Sequence, residues 1–193
     1  MQLNGRPSWS VVTEGAEDLN FAIYVACTYD LFPNNMPFSS SKQWSSTTPT
    51  TLSANEKSIL KSQWKKWWNH VVLTRSQNGG GVDSYPQDYL KSSGSELGQV
   101  CYDLWPPFFN WWHMPAGGNT AMIFWESADN VNKYVKEFEQ DVGRTANPFR
   151  LKIDLVYTGL DDVLEVSDVY AIIPIGSPHI NKSWWTKKIK SLG

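Results

Sequence analysis

Histidine and cysteine are the residue types best suited to bind a metal or act as a nucleophile, and this chain has few of them. The histidines are His70, His113 and His179, and the cysteines are Cys27 and Cys101. Recognisable metal sites have closely spaced ligands, as in C-x-x-C or H-x-x-x-H, and neither spacing occurs. Cys101 with His113 is the one suggestive nucleophile pair, but Cys101 lies on the apolar side of a predicted helix, where small thiols pack into cores. The sequence therefore predicts no metal, no cofactor and no catalytic cysteine.

Acidic residues are the remaining candidates for catalysis, because two carboxylates facing each other in a cleft can act as general acid and base. Turn formation and helix capping explain most of them without catalysis, and nothing in the sequence shows that any two face each other. No catalytic residue is assigned, and a hydrolase that uses acidic residues near the edge of the sheet stays an alternative. Its candidates are Glu126, Asp154, Asp161, Asp162, Glu165 and Asp168.

Tryptophan is the most unusual component, with 11 in 193 residues, six of them in adjacent pairs. Neighbouring side chains on a helix point about 100° apart, so such a pair rarely fills one pocket. We therefore expect part of this indole surface to face a partner, although burial in the core is the competing interpretation.

The segment 104–119, LWPPFFNWWHMPAGGN, concentrates the aromatic residues. Its prolines disfavour a regular helix, so we predict a rigid loop whose rings cannot all be hidden. Rigid aromatic side chains are typical anchors of protein interfaces, and a buried satellite core is the alternative. The predicted binding residues are Trp105, Phe108, Phe109, Trp111 and Trp112.

The N-terminal half is predicted to be mostly helical. We predict a buried helix over residues 14–31, a loop over 33–51 and a weaker helix over 86–104. The clearest helix begins at Ser53, which forms a capping-box pattern with Glu56. Its apolar residues at helical spacing are Leu60, Trp64, Trp67, Trp68, Val71 and Val72.

The C-terminal half contains the predicted strands, at 121–125, 149–158 and 163–175. Alternation in 149–158 places Lys152 and Asp154 on a face expected to contact water. A helix capped by Ser127 and stopped by Gly143, and a short one from Lys182 to Leu192, complete the prediction. The fold class is α+β: N-terminal helices on a small mixed or antiparallel C-terminal sheet of three to four strands, in one domain over residues 1–193.

Charge is unevenly distributed although the net value is only −2. Residues 56–75 carry five basic and one acidic side chain, and residues 182–193 carry four basic and none acidic, whereas 76–181 is acidic. The basic segments could pair with the acidic part of the same chain or steer a charged partner. A nucleic-acid partner is not expected, because such domains are basic overall.

The sequence also leads to expectations about the location and the function of the protein. No run of about 18 apolar residues is present, so no membrane span is expected, and two cysteines without an apolar leader favour the cytoplasm. The leading hypothesis is a non-enzymatic protein-binding domain, such as an intracellular inhibitor or immunity-type protein. The alternatives are a carbohydrate-binding module that uses exposed Trp and the hydrolase described above. The sequence does not indicate an oligomeric state.

Overall fold

The computed structural model describes residues 9–33, 37–39, 44, 52–78, 95–126, 131–177 and 181–192. These residues form six helices and four strands. In chain order the elements are β1 (Ser10–Gly15), α1 (Glu17–Tyr29), α2 (Ala54–Asn78), α3 (Glu96–His113), α4 (Gly118–Glu126), α5 (Val131–Val142), β2 (Arg150–Val156), β3 (Leu164–Ser167), β4 (Tyr170–Pro174) and α6 (Lys182–Leu192).

The four strands form one mixed sheet in the order β1-β2-β4-β3. Strands β1, β2 and β4 are parallel, and β3 is antiparallel to β4. The α+β class is confirmed. The sheet is not purely C-terminal, however, because β1 comes from the start of the chain.

The sequence prediction missed β1 and began the first helix too early, at residue 14. Val11 and Val12 are β-branched and suit a strand, and they pair with Leu151 and Lys152 of β2. Those partners lie about 140 residues further along the chain, so local patterning could not reveal the pairing.

Helix α1 is almost entirely buried and lies at the centre of the helical layer. Its apolar residues occur all round the helix, as expected for a helix covered on every side. Phe21 of α1 contacts Trp67 of α2 and Trp105 of α3, with ring centroids 5.8 Å and 4.9 Å apart. The indole Nε1 of Trp64 donates a hydrogen bond of 2.7 Å to the carbonyl oxygen of Ala22.

Helix α2 begins with the predicted capping box. The backbone nitrogen of Ser53 donates to a Glu56 carboxylate oxygen at 2.8 Å, and the Glu56 nitrogen donates to the Ser53 hydroxyl at 3.3 Å. The predicted apolar face is buried except for Val72, which is half-buried. The adjacent pair Trp67 and Trp68 is therefore part of the core, as helical spacing favoured.

Helix α3 corrects the prediction of an aromatic loop, because it continues through Pro106 and Pro107 to His113. Both prolines lie on the exposed side. A proline has no N–H to donate to the carbonyl four residues earlier in a helix, and this side of α3 is exposed, so water can reach it. The inner face is periodic, and its buried residues are Leu97, Cys101, Trp105, Phe108 and Trp112.

The predicted strand at 121–125 was also wrong, since these residues belong to α4. The turn before α4 requires glycine. A Cβ at Gly117 would lie 1.9 Å from the Trp111 carbonyl oxygen, and one at Gly118 would lie 2.4 Å from the Trp111 ring. The chain therefore reverses tightly against the end of α3, and α4 packs against β1.

Strand β2 has no face in contact with water, contrary to the prediction. Lys152 and Asp154 are 6% and 0% exposed, because Arg75 at the end of α2 covers that face. The predicted strand 163–175 is divided into β3 and β4 by a turn at Asp168 and Val169.

The remaining predictions have mixed outcomes. Helix α6 has the predicted bounds, and α5 ends before Gly143, whose φ is +68°. Ser127, most of the predicted loop 33–51 and the first part of the predicted helix 86–104 lie outside the described residues. Residues 96–104 of that predicted helix belong to α3. No helix in the described part of the chain is long and apolar enough to cross a membrane.

Candidate protein-binding surface

The five predicted binding residues occupy two different environments. Trp105, Phe108 and Trp112 are buried on the inner face of α3, with exposed fractions of 8%, 0% and 2%. Trp111 is half-buried, and Phe109 is 39% exposed on the outer face. Of the five, Phe109 is therefore the one most accessible to a partner in this structure.

Trp111 is held by other aromatic rings. Its ring centroid lies 4.8 Å from that of Trp44 and 5.0 Å from that of Tyr157, while Trp44 and Tyr157 are 5.3 Å apart. These are packing distances for aromatic pairs. The three rings fill the space between them, so they do not form an open cage for a cationic ligand.

Most of the other tryptophan side chains are also packed inside the protein. All 11 Trp residues are within the described residues. Seven are buried, Trp9, Trp111 and Trp184 are half-buried, and Trp125 is exposed at 40%. Both members of the pair Trp67 and Trp68 are buried, whereas in the other two pairs Trp112 and Trp185 are buried and their neighbours Trp111 and Trp184 are half-buried. Most of the indole surface thus stabilises the fold, and a single Trp offers a large accessible face.

Exposed apolar side chains are concentrated in one segment of the chain. Of ten exposed large hydrophobic residues among those described, six lie between positions 102 and 125. We call this set the 102–125 surface. Only Phe109 was among the predicted binding residues. The set consists of Tyr102, Phe109, Met114, Ile123, Phe124 and Trp125.

The 102–125 surface spans two helices joined by the glycine turn. Tyr102 and Phe109 are seven residues apart, so they share the outer face of α3, whereas the last three members lie in the final turn of α4. Phe124 and Trp125 contact each other edge to face, with centroids 5.9 Å apart. If the helical pattern of α3 is continued past Pro106, Phe109 falls on the outer face, so its exposure could have been predicted. No sequence pattern indicated that the end of α4 is exposed.

Ionisable residues lie beside the α3 part of this surface. The His113 ring lies 4.3 Å from that of Phe109 and is tilted by 55°, and its Nε2 lies 3.4 Å from Oε1 of Glu17. Burial raises the pKa of Glu17, and the neighbouring imidazole opposes this shift. The exposed α4 members of the surface, Ile123, Phe124 and Trp125, are apolar, and Glu126, the last residue of α4, follows them directly.

A second cluster, buried between α2 and the sheet, contains the strongest concentration of charge. Arg75 is 2% exposed. Its Nε donates to Asp154 at 2.8 Å, its Nη1 lies 3.0 Å from Asp18, and its Nη2 lies 3.5 Å from Glu14. One guanidinium thus joins carboxylates from β1, α1 and β2.

The same cluster includes a lysine and a tyrosine. Tyr170 donates its hydroxyl proton to Asp154 at 2.7 Å, and Lys152 donates to the Arg75 carbonyl at 3.1 Å. Burial is the main cause of the raised pKa of Tyr170, and the Asp154 charge adds to it. Three carboxylates thus share the two cations Arg75 and Lys152. The cluster is suited to joining elements of the fold.

The residues suggested for other chemistries are not brought together. Cys101 and His113 lie on one helix, about 18 Å apart along its axis, and burial raises the pKa of the Cys101 thiol, as it raises that of Cys27 to about 12. Neither cysteine forms a disulfide. Within the described residues, no three His, Cys, Asp or Glu side chains are grouped as a metal site.

Among the acidic candidates, Glu165 accepts hydrogen bonds from Trp184 and Lys188, and Asp154 belongs to the buried cluster. The side chain of Glu126 lies outside the described part of the structure. No two of the carboxylates suggested from the sequence are seen to face each other in the described residues.

Part of the charge in the basic segments pairs within the chain. Lys57 of α2 lies 2.6 Å from Asp30, and Lys182 of α6 lies 2.6 Å from Glu137. With Arg75 and Lys188, four of the nine basic side chains in these segments contact a carboxylate of the same chain.

The comparisons with known proteins give no further assignment. No family model matches the chain, and no curated protein or solved structure is significantly similar to it.

Proposed function

We propose that this protein is a non-enzymatic domain that binds another protein through the 102–125 surface. The observation that carries this proposal is the concentration of six of the ten exposed large hydrophobic residues in this one segment. Scattered apolar residues are normal on a protein surface, whereas contiguous apolar patches are typical of interaction sites. Ile123, Phe124 and Trp125 are consecutive, and the rings of the last two are in contact. The proposal keeps Phe109 from the residues suggested by the sequence and adds members of α4.

The residue types support a protein partner. Aromatic and methionine side chains are enriched at protein interfaces, whereas lysine and glutamate are depleted, and the 102–125 surface has this composition. An intracellular inhibitor or immunity-type protein that captures its target in the cytoplasm would work in this way. Two cysteines without a disulfide are compatible with that location.

The test is comparative capture from an extract of the source cells. Immobilised chain is compared with the Phe109→Ser and Phe124→Ser variants, and with Val142→Ser as a control, because Val142 is 42% exposed on α5, outside the surface. We expect one or more proteins to be retained by the unmodified chain and by the control but lost from both variants. Equal retention by all four would contradict the proposal.

A glycan array separates this proposal from the carbohydrate-binding alternative. With only Trp125 exposed by more than a third among the eleven Trp residues, we expect no glycan to bind. A glycan that binds the chain and is lost in Trp125→Ala would favour the alternative instead.

A further inference from the structure

His113, the last residue of α3, lies against Glu17, the first residue of α1. The imidazole Nε2 is 3.4 Å from the Glu17 Oε1 atom, and both side chains are partly exposed. The Oε1 atom itself is nonetheless buried and accepts no hydrogen bond within the described residues. A buried carboxylate oxygen costs free energy unless a donor faces it. His113 is placed to supply that donor.

The ends of the two helices favour opposite charges at this contact. Glu17 is in the first turn of α1, where unpaired N–H groups favour a negative charge, and His113 is in the last turn of α3, where unpaired carbonyl groups favour a positive one. A neutral imidazole donates only a hydrogen bond to the carboxylate, whereas an imidazolium adds ionic attraction. The contact is therefore strongest when His113 is protonated and Glu17 is ionised.

The charged groups on α1, α2 and the sheet near this contact are engaged with each other. Asp18 also acts on Glu17 and raises the pKa of its carboxyl. Asp18 itself lies 3.0 Å from Arg75 of α2. Arg75 in turn contacts Glu14 of β1 and Asp154 of β2. This cluster therefore faces the contact with a single carboxylate, which favours the protonated form of the pair.

Helices α3 and α4 add little charge at this end. On α3, Asp103 is ten residues before His113, about 15 Å away along the helix axis. Helix α4 packs against α3 and has no charged residue before Glu126, its last position. The Glu126 side chain lies outside the described part of the structure.

Phe109 connects this contact to the proposed binding surface. It is four residues before His113 on the same helix, and its ring centroid is 4.3 Å from that of the imidazole. The backbone N–H of Met114 closes this turn by donating to the Asn110 carbonyl at 3.1 Å. When Glu17 holds the imidazole, it therefore also holds the last turn of α3 and the ring that supports Phe109.

We propose that His113 and Glu17 form a pH switch that controls the α3 part of the 102–125 surface. When the imidazolium is paired with the carboxylate, the last turn of α3 is fixed to the start of α1 and Phe109 is held in place. The turn is loosened when His113 loses its proton in base or Glu17 gains one in acid. The link to partner binding rests on the proposed function, because a side chain that is already fixed loses less entropy on binding.

The switch predicts a maximum in the pH dependence rather than a single step. Burial raises the pKa of Glu17 above the ordinary 4.5, so in acid this carboxyl is neutralised at a higher pH than an exposed one. Histidine side chains ordinarily change charge between about pH 5 and 8, which sets the alkaline side. Because the two groups interact, the two midpoints belong to the pair.

The first measurement is amide hydrogen exchange of the purified full chain between about pH 4.5 and 8.5, corrected for the intrinsic effect of pH on exchange. Residues 110–114 report on the last turn of α3, and residues 97–101 at its start are the internal reference. The variants are Glu17→Gln and His113→Gln, and His70→Gln of α2 is the matched control. Circular dichroism melting checks that each variant is folded.

We expect protection of residues 110–114 to be greatest within this range and about threefold lower at each end, as for a partly exposed ion pair. Both pair variants should lack the maximum, and His70→Gln should keep it. A profile without a maximum in the unmodified chain would overturn the switch. A maximum that persists in both pair variants, or is lost in His70→Gln, would overturn it too.

The second measurement links the switch to binding. Proteins retained from an extract of the source cells are compared at about pH 6 and pH 8, on the unmodified chain and on Glu17→Gln. We expect the unmodified chain to retain its partner about threefold better at the lower pH, and the variant to retain it equally at both. The same ratio on both chains would overturn control by the switch and leave protein binding in place. Retention of no protein at either pH would overturn the proposed function instead, while the exchange profile still decides whether the pair fixes α3.

Discussion

Arg75 shows how a single side chain can join distant parts of this chain. A buried cation is tolerated only when it is paired and hydrogen-bonded, and Arg75 is held by Asp154 and Asp18. These residues belong to α2, β2 and α1. Their contacts fix the end of α2 against the sheet.

We expect Arg75→Met to lower the free energy of unfolding by about 3–5 kcal/mol, because it leaves Asp154 buried without its main cation. Urea denaturation followed by fluorescence would measure this loss. Lys57→Met is the control, since the Lys57–Asp30 pair is exposed and such pairs contribute at most about 1 kcal/mol. Equal effects of the two variants would show that the buried cluster is not a stabilising feature.

Asp18 gives the same cluster a predictable dependence on pH. Burial raises its pKa above the ordinary 3.8, despite the opposing charge of Arg75. The folded state thus holds this proton more tightly than the unfolded state, so the contribution of Asp18 to stability is fully present below pH 3.8 and is lost as pH rises through the raised value.

Replacement of Asp18 by Asn keeps the shape and removes this titration. We expect Asp18→Asn to be at least as stable as the unmodified protein at pH 7, with the difference shrinking as pH falls towards 3.8. Melting temperatures across this range would test it. A variant that is less stable at pH 7 and equally stable in acid would show that the pairing of ionised Asp18 with Arg75 dominates.

Helix α3 shows when packing outweighs local preference. A proline inside a helix costs about 3 kcal/mol relative to alanine, yet α3 contains Pro106 and Pro107 in succession. Complete burial of an aromatic side chain contributes about 1.5–3 kcal/mol, and three such side chains, Trp105, Phe108 and Trp112, lie on the inner face. Tertiary packing therefore offsets the local penalty.

If α3 is continuous, then Pro106→Ala and Pro107→Ala should each raise stability, by about 1–3 kcal/mol, because alanine restores a hydrogen-bond donor in a conformation already helical. Thermal unfolding would measure the gain. Because both positions are exposed, the substitutions remove few packing contacts. Destabilisation by both substitutions would indicate that the prolines hold a break in the helix that the protein needs.

Helices with their own local signals were predictable from the sequence. The capping box at Ser53 and the spacing of the apolar residues identified α2, and periodicity with Gly143 identified α5. Helix α4 was not predictable, because a short apolar run such as 121–125 suits a buried strand equally well. The tight turn at Gly117 and the packing of α4 on β1 decided between the two.

Across the domain, the distribution of tryptophan separates core from surface. Trp112 is 2% exposed and Trp125 is 40% exposed, although neighbouring aromatic residues surround both in the sequence. The indoles mainly supply the core that joins α1, α2 and α3. Most of the accessible aromatic area lies in the 102–125 surface.

We expect Trp112→Ala to reduce the free energy of unfolding by about 3–5 kcal/mol, the usual cost of emptying a buried aromatic site. Trp125→Ala should reduce it by less, roughly 1–2 kcal/mol, because Trp125 is already 40% exposed and the substitution removes less buried apolar area. Guanidinium denaturation of both variants would measure the difference. A comparable loss from Trp125→Ala would mean that the end of α4 is part of the core.

The sequence by itself determined the α+β class, the helices with clear caps and periodicity, and the unusual weight of aromatic residues, because these depend on patterns within a few turns of chain. Only the tertiary structure showed that β1 joins the sheet and that β2 has no water-exposed face. It also showed that Ile123, Phe124 and Trp125 of α4 are exposed. Each of these depends on which distant elements pack together. Burial depends on those contacts. The local sequence around an aromatic residue therefore does not show whether it lies in the core or on the surface.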